Sequence, residues 1–423
     1  MSIHILPEKL GVYLKDPFRR NALFLISTYA ANALIGFFFW TVAARLFSPE
    51  DVGKATSLIS AGFLVAQFSG LGLGIGLIRF LPEEQDKVKL INSAVSVILG
   101  ATLLLSCGFL LGINLWSPRL SFIYSDYLAL VTFILFSAVF TLNSLFSQIF
   151  VALRAAHYTL YQSLILAVKI AVLFLMINYG YLGIISSFTI SVIISFSGAV
   201  VLLRNVFPHY LPRTVADLSS LNKMISFSLG NYTGDTLKTL TGFVAPLITI
   251  NLLGPAMSAY FYIGWMVAGI FFNICYAVNY TLVADAAHEP GNLRRQTFKA
   301  ARFVTLILVP SVILMYLLGG FLLSFFGKQY SEEALWLLRI LSIASLPLAV
   351  NEIFIAVCRI HKRIKPVIII YGTISFFTLI TGSLLMQVIG LVGIGIAFLT
   401  AQATTALVLI IINRSSIFKP AGI

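Results

Sequence analysis

Long apolar segments recur along almost the whole chain, and they constrain the fold more than any other feature of the sequence. A helix needs about 20 apolar residues to cross the hydrocarbon core of a bilayer. The chain has 423 residues, of which 59% are hydrophobic and only 10% are charged. This balance excludes a soluble domain and predicts a polytopic membrane protein. The apolar windows predict twelve spans, at about 22–46, 53–79, 88–112, 124–152, 156–178, 182–203, 223–253, 256–283, 297–326, 333–358, 365–388 and 390–413.

Positive charge is distributed unevenly between alternate loops. A net charge of +13 would suggest nucleic-acid binding in a soluble chain, but between membrane spans it indicates the positive-inside rule. Of the 28 Lys and Arg residues, 21 lie in the N-terminal segment and in every second loop, 5 lie on the opposite side, and Lys169 and Lys238 lie within spans. We therefore predict a protein of the cytoplasmic membrane with both termini in the cytoplasm and with no nucleic-acid partner.

The two halves of the chain repeat short motifs at a nearly constant separation. Leu182-Gly-Ile and Val392-Gly-Ile, which open two spans, are 210 positions apart, and Pro49 and Pro255, which follow two others, are 206 apart. Leu153-Arg154 and Cys358-Arg359 are 205 positions apart, and Leu111-Gly112 and Leu318-Gly319 are 207 apart. A shared separation indicates a duplicated unit, and an even number of spans per copy gives both copies the same orientation.

The duplication predicts the fold class and the domain organisation. We expect an all-α integral membrane protein of about twelve transmembrane helices, arranged as two parallel six-helix lobes with pseudo-two-fold symmetry. The N-terminal lobe would comprise residues 1–205 and the C-terminal lobe residues 223–423. A cytoplasmic linker, residues 206–222, would join them. Function would then lie within the membrane, where transporters of this kind place their substrate site.

Polar side chains within the spans form stripes along helix faces. In the seventh span Asn231, Asp235 and Lys238 are spaced at i, i+4 and i+7 and share one face. Ionisable groups in a span are costly and normally face a protein interior or a water-filled cavity. The stripes therefore predict a hydrogen-bonding cavity of net positive charge. Its candidate lining residues are Asn32, Asn143, Lys169, Asn231, Asp235, Lys238 and Asn273, where Asn273 shares a face with Tyr276 and Tyr280, and Asn143 shares one with Ser147.

Each candidate also has a purely structural interpretation. Asp235 and Lys238 can neutralise each other at i and i+3, and Asn and Tyr often join membrane helices through hydrogen bonds. Lys169 has no acid in its own span, so it is either functional or paired with a distant acid such as Asp235. The glycines of segment 70–76 have small-xxx-small spacing, which favours close helix approach. The three cysteines show no metal-binding or disulfide spacing, so no metal site is expected.

Charged residues near the span ends are candidates for headgroup access and gating: Arg79, Arg154, Glu352 and Arg45. Glu352 precedes Arg359 by seven residues, so the two can form a local pair, and a gate salt bridge between Glu352 and Arg79 is the alternative hypothesis. No catalytic motif of a known enzyme class is present. We therefore expect a protein that is not an enzyme and that has no cofactor.

Two groups of motifs resemble a known family. Near the N-terminus the chain reads Ala43-Ala-Arg-Leu-Phe-Ser-Pro49-Glu-Asp-Val-Gly53, followed by Ile78-Arg-Phe-Leu-Pro82-Glu83, and the second half contains Leu323-Ser-Phe-Phe-Gly-Lys-Gln-Tyr330. These motifs resemble the polysaccharide-repeat (O-antigen type) flippases of the multidrug/oligosaccharidyl-lipid/polysaccharide exporter superfamily. The resemblance implies a MATE-like fold, alternating access and a polyprenyl-diphosphate-linked oligosaccharide as substrate. It also implies membrane lipids and glycan polymerases or transferases as partners.

The residues themselves fit such a substrate. Lys169 and Lys238 would attract a diphosphate, and the asparagines could bind sugar hydroxyls. Transport would be driven by the membrane potential or coupled to H⁺ or Na⁺ through Asp235. Two alternatives stay open. A cation-coupled antiporter of the same superfamily would favour acidic cavity residues, as Asp235 would allow. A membrane glycosyltransferase or polymerase would need a sizeable outer loop with acidic residues, and the outer loops here are short.

Overall fold

The computed structural model describes residues 17–208, 210–213, 218–288 and 292–413, and these residues form helices and connecting turns without a β-strand. Numbered in chain order, the α-helices are α1 Pro17–Leu46, α2 Pro49–Ser69, α3 Leu73–Phe80, α4 Lys87–Leu111, α5 Ile113–Trp116, α6 Tyr127–Ala152, α7 Ala156–Ile165, α8 Val168–Leu175, α9 Gly180–Arg204, α10 Leu218–Leu253, α11 Pro255–His288, α12 Leu293–Ser324, α13 Lys328–Glu333, α14 Leu335–Ile360, α15 Ile364–Ile389 and α16 Val392–Asn413. Two 3₁₀ helices lie at Pro118–Ser125 and Ile177–Tyr179.

The number of membrane spans agrees with the sequence. Within the described residues, eleven helical segments are long and apolar enough to cross a bilayer, and the count is twelve when α2 and α3 are taken as one bent span. The prediction of about twelve spans in an all-α membrane protein is therefore confirmed. The protein is a multi-pass membrane protein.

The second predicted span is broken at its glycines. Helices α2 and α3 meet at an angle of 47°, and Gly72 lies between them with a φ of 74°. A Cβ on Gly72 would lie 2.9 Å from the Cβ of Ser228, and one on Gly76 would lie 2.8 Å from the Cβ of Met224. The expected close helix approach is confirmed. The structure adds a sharp bend, for which Gly72 supplies the left-handed backbone conformation.

Two compact units make up the described chain. One contains the described residues up to Phe47 together with 62–116 and 120–232, and the other contains 48–61, 117–119 and the described residues from Thr233 onward. Each unit therefore draws on separate parts of the sequence. The predicted boundaries of the lobes and the linker stay a prediction, and positions 209 and 214–217 of that linker lie outside the described residues.

An apolar core joins α3, α4, α6 and α9 in the first unit, with Leu77, Ile91, Phe146 and Leu203 among its buried members. Tyr210, which follows α9, is 1% exposed and belongs to the same core. Burial raises the pKa of the Tyr210 hydroxyl to about 12, so this side chain is neutral at physiological pH. In the second unit α11 and α14 contribute the largest numbers of buried side chains.

The backbone shows the internal duplication in detail. The turn after α6 has the bonds Leu153 N–H to Ile149 O, Arg154 N–H to Val151 O and Ala155 N–H to Phe150 O. The turn after α14 repeats all three bonds at His361, Lys362 and Arg363, each shifted by 208 positions. Arg154 and Lys362 also share a left-handed φ, of 55° and 56°. Helices α6 and α14 themselves are both 26 residues long.

This register corrects two of the sequence matches. Arg154 corresponds to Lys362 and not to Arg359, because the hydrogen-bonded turn and not the arginine is what the two copies share. Gly112 follows the end of α4, whereas Gly319 lies inside α12, so this pair is not equivalent. The glycines Gly180 and Gly390, which are 210 positions apart and stand at or just before the start of α9 and α16, do correspond, with φ, ψ of 53°, −136° and 63°, −148°.

Candidate functional site

A charged cluster joins α10 and α14 in the second unit. The Nη2 of Arg359 donates to Oδ1 of Asp235 at 2.9 Å, and the Nζ of Lys238 lies 3.8 Å from the same oxygen. Asp235 therefore faces two cations. The expected Asp235–Lys238 pair is present, but Arg359 is the closer partner. Arg359 stands in the last turn of α14.

Two tyrosines of α11 complete the surroundings of Lys238. Its Nζ lies 4.7 Å from the centre of the Tyr276 ring and 5.7 Å from that of Tyr280. It also donates to the Tyr280 hydroxyl at 3.4 Å. The Lys238 side chain is 14% exposed, so cation–π attraction acts in a largely desolvated setting. Asn273, predicted on the same face of α11, is exposed and has no hydrogen-bond partner among the described residues.

A buried carboxylate lies on α14, two turns before Arg359. Glu352 is 1% exposed and accepts hydrogen bonds from Asn279 Nδ2 at 2.7 Å and from the Tyr371 hydroxyl at 2.9 and 3.1 Å. The hypothesis of a local Glu352–Arg359 ion pair is wrong in this structure, and the gate salt bridge with Arg79 stays a prediction. Arg359 is bonded to Asp235. Arg79 is bonded to Glu83, which stands one helical turn away at 2.6 Å on an exposed surface.

Neutral donors satisfy the carboxylate oxygens of Glu352, and the cations Lys238 and Arg359 lie close enough to act on it through charge. A buried carboxylate must have its oxygens satisfied, and the amide of Asn279 and the hydroxyl of Tyr371 do this from α11 and α15. Neither residue was predicted from the sequence. Asn279 stands three positions after Tyr276, which is a helical neighbour of the predicted stripe, so that spacing could have identified it.

Lys169 is a buried cation within a predicted span of the first unit. It lies on α8, is 6% exposed, and its Nζ lies 4.8 Å from the centre of the Phe39 ring and 4.3 Å from that of Phe188. No carboxylate of the described residues lies within ion-pair distance of this Nζ. The alternative pairing of Lys169 with a distant acid such as Asp235 stays a prediction, and Asp235 itself pairs with Arg359 and Lys238 within the second unit. Two aromatic faces replace a counter-ion.

Asn143 forms part of a hydrogen-bonded network between three helices of the first unit. The Nε2 of Gln162 donates to Asn143 Oδ1 at 2.5 Å, and Ser195 Oγ donates to the same oxygen at 3.1 Å. Ser147 Oγ donates to Gln162 Oε1 at 2.8 Å. These bonds connect α6, α7 and α9. They match the structural interpretation, in which polar side chains join membrane helices.

The remaining candidates are dispersed. Asn32 on α1 is exposed, Asn231 on α10 is half-buried, and neither has a hydrogen-bond partner among the described residues. Arg154 is exposed at the turn after α6, and Arg45 is exposed in the last turn of α1. The structure thus brings together Asp235 and Lys238 with Arg359 and two tyrosines. Within the described residues, no group of three or more His, Cys, Asp or Glu side chains could hold a metal ion.

A protein-family comparison decides where the chain belongs. The family model described as "Polysaccharide biosynthesis protein" matches residues 18–244, which is more than half of the chain. The chain belongs to this family. The match includes all of the first unit's described helices, together with Asp235 and Lys238 of the charged cluster. The resemblance seen in the N-terminal motifs is confirmed. No curated protein sequence matches the chain.

Solved structures show the fold to which this family member belongs. A MATE family multidrug resistance transporter of the MOP superfamily, in its inward-facing conformation, matches with a TM-score of 0.70 and 15% identity, over 91% of this chain and 94% of that one. The lipid II flippase MurJ, in an inward closed conformation, matches with a TM-score of 0.74 and 15% identity, over 93% and 88%. An outward-facing MATE family transporter of the same superfamily matches with a TM-score of 0.62 and 14% identity, over 96% and 97%.

These matches confirm the MATE-like fold class. The identities are low, so the similarity is one of architecture and leaves the substrate open. The predicted superfamily, which unites multidrug, oligosaccharidyl-lipid and polysaccharide exporters, is the one named for the two MATE transporters. The protein is therefore a polytopic member of the polysaccharide biosynthesis family with the fold of MATE transporters and MurJ.

Proposed function

We propose that the protein is a flippase that moves polyprenyl-diphosphate-linked oligosaccharides from the cytoplasmic leaflet to the outer leaflet by alternating access. Family membership supports a role in polysaccharide biosynthesis, and the fold is that of proteins named as a flippase and as transporters. The protein would act in the cytoplasmic membrane without catalysing a covalent step. Glycan polymerases or transferases would be its protein partners.

The observation that carries the proposal is the set of cations held inside the spans. Lys169 is buried without a carboxylate beside it, and Lys238 shares Asp235 with Arg359. Lys169 therefore carries positive charge that no nearby acid neutralises, whereas Lys238 lies near two carboxylates, Asp235 and Glu352. A polyprenyl diphosphate is an anion whose oxygens accept charge-assisted hydrogen bonds from ammonium and guanidinium groups. We infer that these cations bind the diphosphate group of the substrate.

The candidate asparagines differ in whether their side-chain amides are free to bind sugars. Asn32 and Asn273 are exposed within spans and have no hydrogen-bond partner among the described residues, so their amides are available to sugar hydroxyls. Asn143 is already bonded to Gln162 and Ser195. In our proposal Asn143 contributes through helix association, and only the exposed asparagines contact the glycan.

Two driving forces are compatible with the charges. An inside-negative membrane potential favours the outward movement of an anion by about 2.3 kcal/mol per charge per 100 mV. Coupling to H⁺ or Na⁺ would use the carboxylates of Asp235 and Glu352. The second candidate function, a cation-coupled antiporter, is favoured by one observation, the buried carboxylate of Glu352. Acidic groups in membrane spans often relay protons.

A gene-deletion strain tests the proposal. Mass spectrometry of its lipid-linked sugars, combined with a membrane-impermeant glycosidase, would show which units accumulate and on which side. We expect complete units on the cytoplasmic side, and normal amounts after complementation with the wild-type protein. The double variant Lys169→Ala/Lys238→Ala should not restore them. A matched control, Lys328→Ala, removes a lysine that is 89% exposed and should restore them fully.

The same experiment separates the alternatives. Truncated or unpolymerised units on the outer side would indicate an enzyme. An unchanged lipid pool, together with altered efflux of cationic compounds, would indicate the antiporter.

A further inference from the structure

Helices α11 and α12 form an open groove in the second unit. Its volume is about 490 Å³, and its lining comes from two facing stripes, Val278, Thr281, Leu282 and Asp285 on α11 and Gln296, Lys299, Ala300 and Phe303 on α12. Both stripes have i, i+3, i+4, i+7 spacing, so each lies on one helix face. The Nε2 of Gln296 donates to the carbonyl oxygen of Asp285 at 3.4 Å and joins the two helices here. The proposed flippase site uses none of these residues.

The chemistry of the groove changes along its length. Asp285, Gln296 and Lys299 lie toward the connection between α11 and α12, whereas Val278 and Phe303 lie farther into the helices. Helix α12 has 32 residues, which corresponds to about 48 Å and exceeds the roughly 30 Å of the hydrocarbon core. Arg302 is the last charged residue before an apolar run that begins at Phe303. The polar end therefore lies at headgroup depth and the apolar end at acyl-chain depth.

Two opposite charges face the polar end of the groove. Asp285 and Lys299 both line it and are both exposed. Within the described residues the two side chains form no ion pair with each other. A ligand that carries one negative and one positive group can therefore satisfy both at once. To fit the groove, the ligand must also carry an apolar chain that extends from its charged groups into the bilayer.

We propose that this groove binds a phospholipid with a phosphoethanolamine headgroup. The phosphate pairs with Lys299, and the primary ammonium donates to the carboxylate of Asp285. One acyl chain follows Leu282 and Phe303. A choline headgroup lacks the N–H donors that a carboxylate accepts. An anionic headgroup without an amine leaves Asp285 unpaired beside a second negative charge.

Lipid binding to the purified full-length protein tests the proposal. Native mass spectrometry would titrate phosphatidylethanolamine, phosphatidylglycerol and phosphatidylcholine with identical acyl chains. We expect phosphatidylethanolamine to bind most tightly. Lys299→Gln should weaken both phosphatidylethanolamine and phosphatidylglycerol by about two- to fivefold, the range for one exposed ion pair. Asp285→Asn should weaken phosphatidylethanolamine by a similar factor and leave phosphatidylglycerol unchanged or stronger.

Matched variants separate the groove from a general effect of charge. Lys328→Gln and Glu332→Gln remove an exposed ion pair outside the groove and should not change the binding of any of the three lipids. Lys299→Arg keeps the charge and should keep the preference, which guards against a folding defect in Lys299→Gln. Tighter binding of phosphatidylglycerol or of a polyprenyl phosphate to the wild-type protein would overturn the proposal. Equal binding by wild type, Lys299→Gln and Asp285→Asn would also overturn it.

Discussion

At the scale of single residues, the pairing of Asp235 with Arg359 is the most specific interaction of the candidate site. The two side chains are 34% and 17% exposed and meet at 2.9 Å. In a double-mutant cycle with Asp235→Asn and Arg359→Gln, we expect a coupling of about 1–2 kcal/mol in the free energy of unfolding, because contacting charged residues couple. Equilibrium unfolding of the purified protein in mixed micelles measures it.

The chain supplies a matched control for this cycle. Lys328 and Glu332 meet at 3.7 Å with side chains that are 89% and 60% exposed. We expect a coupling below about 0.5 kcal/mol, since solvent screens exposed pairs. Equal couplings for the two pairs would show that burial adds nothing to the Asp235–Arg359 interaction.

Glu352 gives a second prediction at this scale. Replacing it with Ala leaves the buried donors of Asn279 and Tyr371 without their acceptor and should destabilise the protein by about 1–3 kcal/mol. Tyr371→Phe removes one donor and leaves Asn279 as a partner, so its cost should be about 1 kcal/mol. Thermal unfolding in detergent provides the comparison. A smaller effect for Glu352→Ala than for Tyr371→Phe would contradict the network.

Local spacing predicted the near neighbours in this cluster but not the distant ones. Asp235, Lys238, Tyr276 and Tyr280 follow from helix periodicity, because residues three, four or seven positions apart share a face. Arg359 is 124 positions from Asp235. Which helices meet depends on packing and not on periodicity. For the same reason the observed partners of Glu352, which are Asn279 and Tyr371, were not predicted.

At the scale of secondary-structure elements, the glycine before α16 tests the duplicated backbone. Gly390 has a φ of 63° and a ψ of −148°, a region that only glycine adopts readily. A Cβ there would meet no atom within 4 Å. We expect Gly390→Ala to lower the free energy of unfolding by about 1–3 kcal/mol through backbone strain alone. The shift in melting temperature measures this loss.

Gly100 is the matched control. It lies inside α4, and a Cβ there also meets nothing within 4 Å. Gly100→Ala should be neutral or should stabilise by up to about 1 kcal/mol, because alanine favours helix. If both variants melt at the wild-type temperature, the left-handed backbone at Gly390 carries no cost.

The repeat shows what motif matching can recover and where it fails. The separations of 206 for Pro49 and Pro255 and of 210 for the two Gly-Ile motifs fall at true helix starts. The match of Arg154 with Arg359 was wrong by three positions. Both residues are arginines close to the same turn, but the hydrogen bonds of that turn align Arg154 with Lys362. The broken span at Gly72 was missed because the apolar pattern continues across the bend.

At the scale of the whole molecule, the orientation in the membrane is a prediction from charge. In a cysteine-free background, Arg294→Cys should react with a membrane-impermeant maleimide only after the cells are opened. Lys328→Cys, whose parent side chain is 89% exposed, should react in intact cells. We expect this labelling pattern because Lys and Arg are in excess on the predicted cytoplasmic side, where Arg294 lies. The opposite labelling pattern would contradict the predicted orientation.

Fold and family could be predicted from the sequence because hydropathy and repeated motifs extend over the whole chain. The substrate could not, because only a few cations within the spans bear on it.

The most direct test of flipping uses the purified protein in proteoliposomes that contain a polyprenyl-diphosphate-linked oligosaccharide. An external glycosidase reports how much of this lipid reaches the outer leaflet. We expect the glycosidase to cleave only the outer-leaflet share of the lipid in protein-free vesicles and nearly all of the lipid with the wild-type protein. Cleavage should be slower with Lys169→Ala/Lys238→Ala and should proceed at an unchanged rate with Lys328→Ala. Cleavage that stops at the protein-free level with folded wild-type protein would show that the protein does not flip this lipid.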